Sequence, residues 1–279
     1  MVAIPPRPEQ QIIDRVYAAF EKDKIEPDLY LGRLGSSFIG EECVRKIWLD
    51  WRAFAREKFE GRILRLFETG HQQEERVVSD LRRAGFAVWD KDENNKQYEY
   101  VDKTGHFITK VDGVIRDVPE CEKTPHILEI KTHNKNSFSA LTKKGVEISK
   151  PTHYAQMQIS MALSSMKRAL YVAVCKDDEQ FYVERVKENK ETQAKLKDKI
   201  LKLTKATLRP AGISDDGSSF ACKFCSMRPV CLKEVEPLKN CRTCAMCSAG
   251  QEGKWVCELN KHTLTFDEQR NACEHYEAL

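Results

Sequence analysis

The sequence has few of the features that mark fibrous, secreted or membrane proteins. It contains only 13 glycines and 10 prolines among 279 residues, too few for a fibrous or low-complexity chain. No stretch approaches the roughly 18 apolar residues that a membrane helix needs, and Met1 to Glu9 lacks the apolar core of a signal peptide. Secreted and integral membrane classes are therefore disfavoured, and we expect no membrane partner.

Strong net charge and nucleotide-binding motifs are also missing. The formal net charge is +3, so whole-molecule electrostatics neither requires nor excludes a nucleic-acid partner. The phosphate-binding pattern G-x-x-x-x-G-K-S/T is absent, as is any helix-turn-helix or other base-reading motif. We therefore expect neither ATP-driven work by this chain nor recognition of a specific nucleic-acid sequence.

Cysteine is what the sequence has in excess. There are eleven, and eight of them follow Ala221: Cys222, Cys225, Cys231, Cys241, Cys244, Cys247, Cys257 and Cys273. Several form C-x-x-C pairs, which in an intracellular chain hold metal more often than they form disulfides. The count therefore predicts at least one metal centre in the C-terminal region.

Hydrophobic periodicity predicts an α/β core with a mixed central sheet flanked by helices. We expect helices at about 8–22, 40–65, 69–83, 151–166 and 188–208, and strands at 86–89, 98–101, 107–115, 126–132, 169–175 and 181–186. The expected divisions are an N-terminal helical segment at 1–35, a core at 36–220, a first cysteine segment at 221–235 and a cysteine-rich, metal-binding tail at 236–279.

Two carboxylates and one lysine lie close together in the predicted strands. Alternate side chains of a strand share a face, so Glu129 and Lys131 project together, and Asp112 lies at the start of the paired strand. Oxygen ligands suit Mg²⁺, and a lysine beside it can orient a water molecule or offset developing charge. The alternative is a turn aspartate and a solvated Glu129–Lys131 ion pair on an edge strand.

The flanking helices carry a second pattern, Gly70-x-x-x-Glu74 before the strands and Tyr154-Ala-Gln156-Met-Gln158 after them. Together these motifs resemble the PD-(D/E)XK nuclease superfamily of the RecB-like and λ-exonuclease-like kind, over roughly residues 35–161. The resemblance implies a restriction-endonuclease-like core that binds Mg²⁺ or Mn²⁺ through Glu74, Asp112 and Glu129. It also makes Lys131 the catalytic lysine and Gln156 the helix glutamine.

The match to this superfamily leaves some roles open. Val111 stands where many members have proline before the aspartate. Glu75 and Gln158 compete with their neighbours for the helix positions, and His71 fits a surface histidine better than a site residue.

Cys222, Cys225 and Cys231 supply three thiolates close together in sequence. Zinc and iron–sulfur clusters both accept such ligands, and the spacing does not decide between them. A subgroup of the resembling family, which includes iron–sulfur CRISPR-associated exonucleases, takes a fourth cysteine from an upstream helix. The stretch from Ser37 to Arg45 looks similar, so the resemblance implies a 4Fe-4S cluster on these three and Cys43. The alternative for Cys43 is a small buried side chain.

Five of the other cysteines lie in the tail, a segment too short and polar to build a core alone, for which a structural metal would provide folding energy. We prefer tetrahedral Zn²⁺ on Cys241, Cys244, Cys257 and Cys273, with Cys247 or His275 as replacements for one of them. Cys121 and Cys175 are expected to be ordinary thiols. C-x-x-C pairs can also be redox-active, but no thioredoxin-like βαβ pattern surrounds these pairs.

A phosphodiester substrate needs a cationic approach to the metal site. The basic segments 45–65 and 135–150 are candidates, and we single out Arg45, Lys46, Lys143 and Lys144 as DNA contacts. Phe138, amid lysines, suits stacking of a single strand. The basic segment 187–209 fits a solvated helix face better.

The expected function is a metal-dependent DNA exonuclease acting on single-stranded or duplex ends. The resemblance places it in phage recombination or CRISPR-type adaptation, in a bacterial or phage-infected host cytoplasm. A single-strand annealing protein or a helicase is the expected partner. The alternatives are a site-specific or structure-specific endonuclease and a non-catalytic nucleic-acid-binding zinc adaptor.

Overall fold

The computed structural model describes residues 8–23 and 31–279. The helices in this part of the chain are α1 (Pro8–Asp23), α2 (Val44–Trp51), α3 (Gly61–Arg83), α4 (Lys135–Ser149), α5 (Pro151–Ser164), α6 (Lys190–Lys205), α7 (Arg228–Cys231) and α8 (Phe266–Arg270). The strands are β1 (Leu34–Gly35), β2 (Ala87–Trp89), β3 (Glu99–Val101), β4 (Phe107–Lys110), β5 (Gly113–Arg116), β6 (His126–His133), β7 (Arg168–Cys175), β8 (Phe181–Lys187), β9 (Cys247–Ala249), β10 (Trp255–Cys257) and β11 (His262–Leu264).

The central sheet has five strands in the order β2-β5-β6-β7-β8. Strands β6 and β7 are parallel, and the other neighbours are antiparallel. A parallel pair needs a long crossover, which α4 and α5 provide, and it needs cover on both faces. Helices α4 and α5 pack on one face through Phe138, Leu141 and Met157, and α3 packs on the other through Val77 and Val78. The predicted mixed sheet flanked by helices is confirmed.

A second, small sheet of order β1-β4-β3 stands beside the central one. The predicted single strand 107–115 is interrupted, because β4 pairs with β3 in this small sheet while β5 joins the central sheet. Val111, fully buried, and Asp112 lie at the crossing between the two sheets. The break therefore places the aspartate at the junction where a cleft can form.

The predicted helix 40–65 is wrong as one element, and the helix predicted at 69–83 begins earlier, at Gly61. Helix α2 ends at Trp51, since Ala53 takes a left-handed conformation with φ 56° and Phe54 turns into the core. Gly61 starts α3 against α1, where a Cβ atom would lie only 2.1 Å from the Tyr17 carbonyl oxygen. The sequence pattern also does not predict α4, whose helical path is interrupted at Gly145 with φ 72°.

The C-terminal cysteine-rich region is built into the core rather than appended to it. Its three strands form an antiparallel sheet of order β11-β10-β9, and Trp255 and Leu264 pack in one apolar cluster with Trp48 and Trp51 of α2. The tail thus packs on the N-terminal part of the chain and shares its core.

The predicted N-terminal helical segment is helical over α1, and residues 1–7 and 24–30 of it lie outside the described residues. Within the ranges described, no helix is both long enough and apolar enough to cross a membrane.

Candidate active site

An open cleft of about 520 Å³ lies between α3, the small sheet and α5. Glu74, Asp112 and Gln156 line it, three of the five residues that the sequence predicts for the catalytic site. The other two are adjacent, since Lys131 Nζ lies 3.9 Å from Asp112 Oδ2 and is ion-paired with Glu129. The structure therefore brings all five predicted residues to one place.

Asp112 is held by a backbone amide of β6 that lies just beyond the end of the β5–β6 pairing. Strand β5 pairs with β6 only from Gly113, opposite Leu128, so a β6 amide beyond that point has no ladder partner on this side. Asp112 Oδ2 accepts that hydrogen bond from the Ile130 amide at 2.7 Å. The aspartate side chain is thereby fixed where the two strands separate, and its other oxygen remains close to Gln97 at 3.5 Å.

Glu129 is a fully buried carboxylate on a central strand. Its Oε1 contacts the Lys131 ammonium group, and its Oε2 has no hydrogen-bond partner among the described residues. The pKa of Glu129 is raised to about 7: burial raises it most, Lys131 opposes this effect, and the charges of Asp112 and Glu74 add to the rise. An edge-strand ion pair in solvent does not match this environment.

Lys131 is surrounded by acidic groups. Burial lowers its pKa, but the charges of Glu129, Asp112 and Glu74 outweigh burial and raise it overall. The ammonium group therefore stays protonated at neutral pH. It also donates a hydrogen bond to the Ile130 carbonyl oxygen at 3.1 Å, which orients it along β6.

The structure separates the competing helix residues. Glu74 is half-buried on α3, and burial together with the Asp112 charge raises its pKa, whereas Glu75 is exposed. Gln158 is fully buried elsewhere: it donates to the Lys187 carbonyl oxygen at 2.9 Å and accepts from the Asn189 amide at 2.8 Å. Glu74 and Gln156 therefore occupy the cleft, and Gln158 joins α5 to the turn after β8.

Sequence reasoning missed several cleft residues. Arg33, Asp50, Gln97 and Lys110 line the same cleft, and His71 joins them on its wall. No motif marks these residues, because they come from separate elements that meet only in the folded chain. Only Arg33, in a loop, and Lys110, at the end of β4, offered a signal in the sequence, namely a charge at such a position.

A polar network lies behind Lys131 and was also missed. The Tyr171 hydroxyl lies 2.9 Å from His133 Nε2 and 2.8 Å from His153 Nδ1. Burial and then the charges of Lys150 and Lys131 lower the pKa of His133 to about 4. Burial and then Lys131 lower the pKa of His153 to about 3. Both rings are therefore neutral near pH 7.

In the part of the chain that the structure describes, no three His, Cys, Asp or Glu side chains are already arranged to hold one metal ion. The chemistry of the acidic cluster nevertheless fits a divalent cation. Its donors are carboxylate oxygens, which Mg²⁺ and Mn²⁺ prefer, and the buried Oε2 of Glu129 has no partner among the described residues.

The first predicted cysteine set converges. Cys43, Cys222, Cys225 and Cys231 line one small cavity of about 20 Å³, although they come from opposite ends of the described chain. Cys43 is the N-cap residue of α2. All four are free thiols, and burial raises the pKa of Cys225, with Cys43 and Cys231 adding to the effect. A set of soft sulfur donors around one cavity fits a thiolate-bound group.

The tail cysteines also lie near one another. The pKa of Cys241 is raised to about 11, by burial most of all and then by the neighbouring Cys244, Cys273 and Cys257 in that order. Cys247 lies opposite Cys257 in the β9–β10 ladder, and burial raises its pKa to about 12. The donor type suits Zn²⁺. His275 faces Glu274 at 3.7 Å.

The remaining cysteines lie apart from both sets. Cys175 is fully buried in the core and Cys121 contacts Arg185 at 3.5 Å, as ordinary thiols do.

The residues expected to contact DNA differ in their surroundings. The Arg45 guanidinium donates to the Pro210 carbonyl oxygen at 2.9 Å, pairs with Asp215 at 2.6 Å and lies 3.8 Å from Cys231 Sγ. Lys46 pairs with Glu41 at 3.1 Å and lines the small cysteine cavity. Both side chains thus lie around the first cysteine set, and the DNA contacts predicted for them remain predictions.

Segment 135–150 forms α4. Lys143 and Lys144 are exposed on it, so the contacts predicted for them remain predictions. The stacking role expected for Phe138 is wrong, because that ring is 6% exposed and packs in the apolar cluster under β6 and β7.

No protein-family model matches this chain, and no curated protein matches it. Among solved structures, it is similar to an alkaline exonuclease, LHK-Exo, from Laribacter hongkongensis, at 17% identity over 68% of this chain and 89% of that one, with a TM-score of 0.44. It is also similar to SSO0001, at 14% identity over 81% and 98% of the two chains, with a TM-score of 0.47. A third is a phage-related exonuclease from Haemophilus somnus 129PT, at 16% identity over 63% and 93%, with a TM-score of 0.44.

Proposed function

We propose that this chain is a Mg²⁺- or Mn²⁺-dependent deoxyribonuclease that hydrolyses phosphodiester bonds at DNA ends. The observation that carries this proposal is the buried Glu129 carboxylate, whose one partner among the described residues is the Lys131 ammonium group and which lies beside Asp112 and Glu74. Burying such a group costs free energy, and perturbed carboxylates of this kind concentrate at functional sites.

The roles follow from the contacts. Glu74, Asp112 and Glu129 would hold the divalent ion, which when bound neutralises charge and polarises the phosphodiester. Lys131 keeps its proton, so its ammonium group offsets negative charge that develops on the phosphate. Gln156, 8% exposed at the cleft wall, can donate or accept a hydrogen bond to hold the attacking water.

The test is release of nucleotides from end-labelled DNA with Mg²⁺ or Mn²⁺. Glu129→Gln and Lys131→Ala should each lower the rate by about 10²-fold or more, because each removes a charge from the reacting centre. Glu75→Gln is the matched control, an exposed glutamate one residue from the site residue Glu74, and should cut at the wild-type rate. Equal rates in all four proteins would refute the site.

The same assay on other substrates separates the alternatives. Cleavage of closed circular DNA would favour an endonuclease over an exonuclease. Binding of DNA without any cleavage would favour a non-catalytic adaptor. Strands labelled at either end report the direction of digestion.

The cysteine sets have proposed occupants of their own. Cys43, Cys222, Cys225 and Cys231 would hold a 4Fe-4S cluster, supported by their common cavity, and Cys241, Cys244, Cys257 and Cys273 would hold Zn²⁺, supported by their proximity. Anaerobic preparation followed by metal analysis tests both. Iron-free, colourless protein would refute the cluster, and protein without zinc would refute the tail site.

The biological setting is proposed from the family resemblance. Phage recombination or CRISPR-type adaptation in a bacterial or phage-infected host cytoplasm would use such an enzyme, with a single-strand annealing protein or helicase beside it. Retention of either partner by the purified protein, measured with and without DNA, tests this setting.

A further inference from the structure

A second cleft of about 460 Å³ opens beside the first and shares a wall with it. Gly32, Arg33, Ile108 and Lys110 line both clefts. The far wall of the second cleft comes from the C-terminal region, which contributes residues from β10, β11 and α8. The cysteine-rich region therefore extends the groove that begins at the catalytic carboxylates.

This far wall is attached firmly to the small sheet. The Gly253 amide donates to the Thr104 carbonyl oxygen at 2.8 Å, and His106 Nε2 lies 2.9 Å from the Gly250 carbonyl oxygen. Gly105 and Gly253 meet with positive φ angles of 75° and 73°. A Cβ atom on Gly105 would lie 2.4 Å from the Gly253 nitrogen, so the two backbones touch and fix the tail at the second cleft.

The lining of the second cleft suits a polyanion with exposed rings. Arg33 lies at the junction of the two clefts, where its Nε donates to the Gly105 carbonyl oxygen at 2.8 Å. Lys110 and Lys254 lie along the wall in solvent-exposed ion pairs with Glu99 at 2.7 Å and Glu252 at 3.0 Å, which phosphates can replace at little cost.

An aromatic ring lines the second cleft together with these cations. Phe266 is 62% exposed in this cleft, so its ring is accessible to a ligand bound there. Base–aromatic stacking needs an unpaired base, and grooves for single strands combine such rings with cations that follow the backbone. A single strand fits this lining because its bases can stack on Phe266. The bases of a duplex are already stacked on one another and do not offer a free face to the ring.

We infer that the C-terminal cysteine-rich region forms the second half of a binding groove for single-stranded DNA. The strand runs from Glu74 and Asp112 past Arg33 and Lys110 to Lys254, with a base stacked on Phe266. This inference rests on the proposed nuclease function and adds the path of the substrate.

The test measures binding of a labelled oligothymidylate by fluorescence anisotropy, in the Glu129→Gln background so that the DNA is not cut. Phe266→Ala should weaken binding about 5- to 150-fold, the equivalent of one lost stacking contact. Phe266→Trp should bind at least as tightly as phenylalanine. Lys254→Ala should lower the slope of log affinity against log salt by about 0.7, one phosphate contact on a single strand.

Matched controls come from the same chain. Phe220→Ala removes a ring that is 74% exposed and lies outside both clefts. Lys261→Ala removes a tail lysine in a similar ion pair, 3.2 Å from Glu258, that lines neither cleft. Both should bind like the background protein. Because Phe266 and Lys254 are exposed, their variants should also melt at the temperature of the parent.

The outcomes separate this inference from the proposed function. If the wild type cleaves DNA but Phe266→Ala and Lys254→Ala bind like the controls, the proposed groove is refuted. The proposed nuclease function then still stands. Absence of both cleavage and binding in the parent proteins overturns the nuclease, and the groove with it. Weaker binding confined to the two groove variants supports the path.

Discussion

Arg52 joins the C-terminal region to α2, and its removal should release that contact. Its side chain is 1% exposed and donates to the Arg242 carbonyl oxygen at 2.6 Å and the Cys247 carbonyl oxygen at 2.8 Å. The guanidinium also lies 5.0 Å from the centre of the Trp48 ring and 5.2 Å from that of Trp255. Arg52→Ala would leave two buried carbonyl oxygens without donors and a cavity between two rings.

The size of the loss can be worked from these contacts. Two hydrogen bonds from a charged donor contribute roughly 3–6 kcal/mol, and a desolvated cation–π contact adds about 2 kcal/mol. Burial opposes this gain, since it lowers the pKa of Arg52 to about 10 from 12.5, which corresponds to about 3 kcal/mol. We therefore expect Arg52→Ala to lower the free energy of unfolding by about 2–5 kcal/mol.

Urea unfolding followed by tryptophan fluorescence measures this change, because Trp48, Trp51 and Trp255 lie in the same cluster. Arg52→Lys should lose less than Arg52→Ala, since it keeps the charge but not the two-pronged geometry. Arg76→Ala is the surface control: that arginine is paired with Glu179 in solvent and should change stability by less than about 0.5 kcal/mol. A similarly small change for Arg52→Ala would refute the view that this residue holds the tail.

Three further predictions concern the metals and pH. Cys225→Ser should lower the iron content of anaerobically prepared protein, whereas Cys121→Ser, outside both cysteine sets, should leave it unchanged. Equal iron contents in the two variants would contradict the proposed iron–sulfur cluster. Cys257→Ser should make zinc leave faster to a coloured chelator, and an unchanged rate would contradict its role as a ligand. Burial lowers the pKa values of His133 and His153 to about 4 and 3, so the unfolded chain binds protons that the folded chain excludes below pH 6.5. Unfolding free energy should therefore fall with acidification from pH 6.5 towards 4, by up to about 1.4 kcal/mol per pH unit for each ring. A His153→Gln variant with the wild-type pH slope in urea titrations would contradict this.

The sequence predicted the central sheet because β7 is an almost continuous apolar run and β6 has a short, β-branched-rich strand pattern, and both signals are local in the chain. It missed the break between α2 and α3, since the turn at Ala53 is set by contacts of Arg52 with residues 190 and 195 positions away. It missed α4 because the basic residues of that segment masked Phe138 and Leu141, which have helical spacing and are buried. Helical propensity alone does not report such distant partners.

Some residues of the candidate site could be predicted from the sequence and others could not. Strand alternation placed Glu129 and Lys131 on one face, and the structure agrees. Choosing between neighbours on a helix is harder, because Glu74 and Glu75 differ by about 100° around α3 and only packing shows which one meets the cleft. Gln156 and Gln158 posed the same question, and the hydrogen bonds of Gln158 to the turn after β8 answer it.

Helix α2 connects the two cysteine sets to the cleft. Cys43 caps its N-terminus beside the first set, and Arg52 caps its C-terminus and binds the backbone of the second set. Between these ends, Asp50 and Trp51 form part of the cleft wall. Loss of either cysteine-bound group should therefore displace one end of α2 and lower DNA cleavage without touching Glu129. A Cys225→Ser or Cys257→Ser protein that has lost its metal yet cuts DNA at the wild-type rate would show that α2 transmits nothing to the cleft.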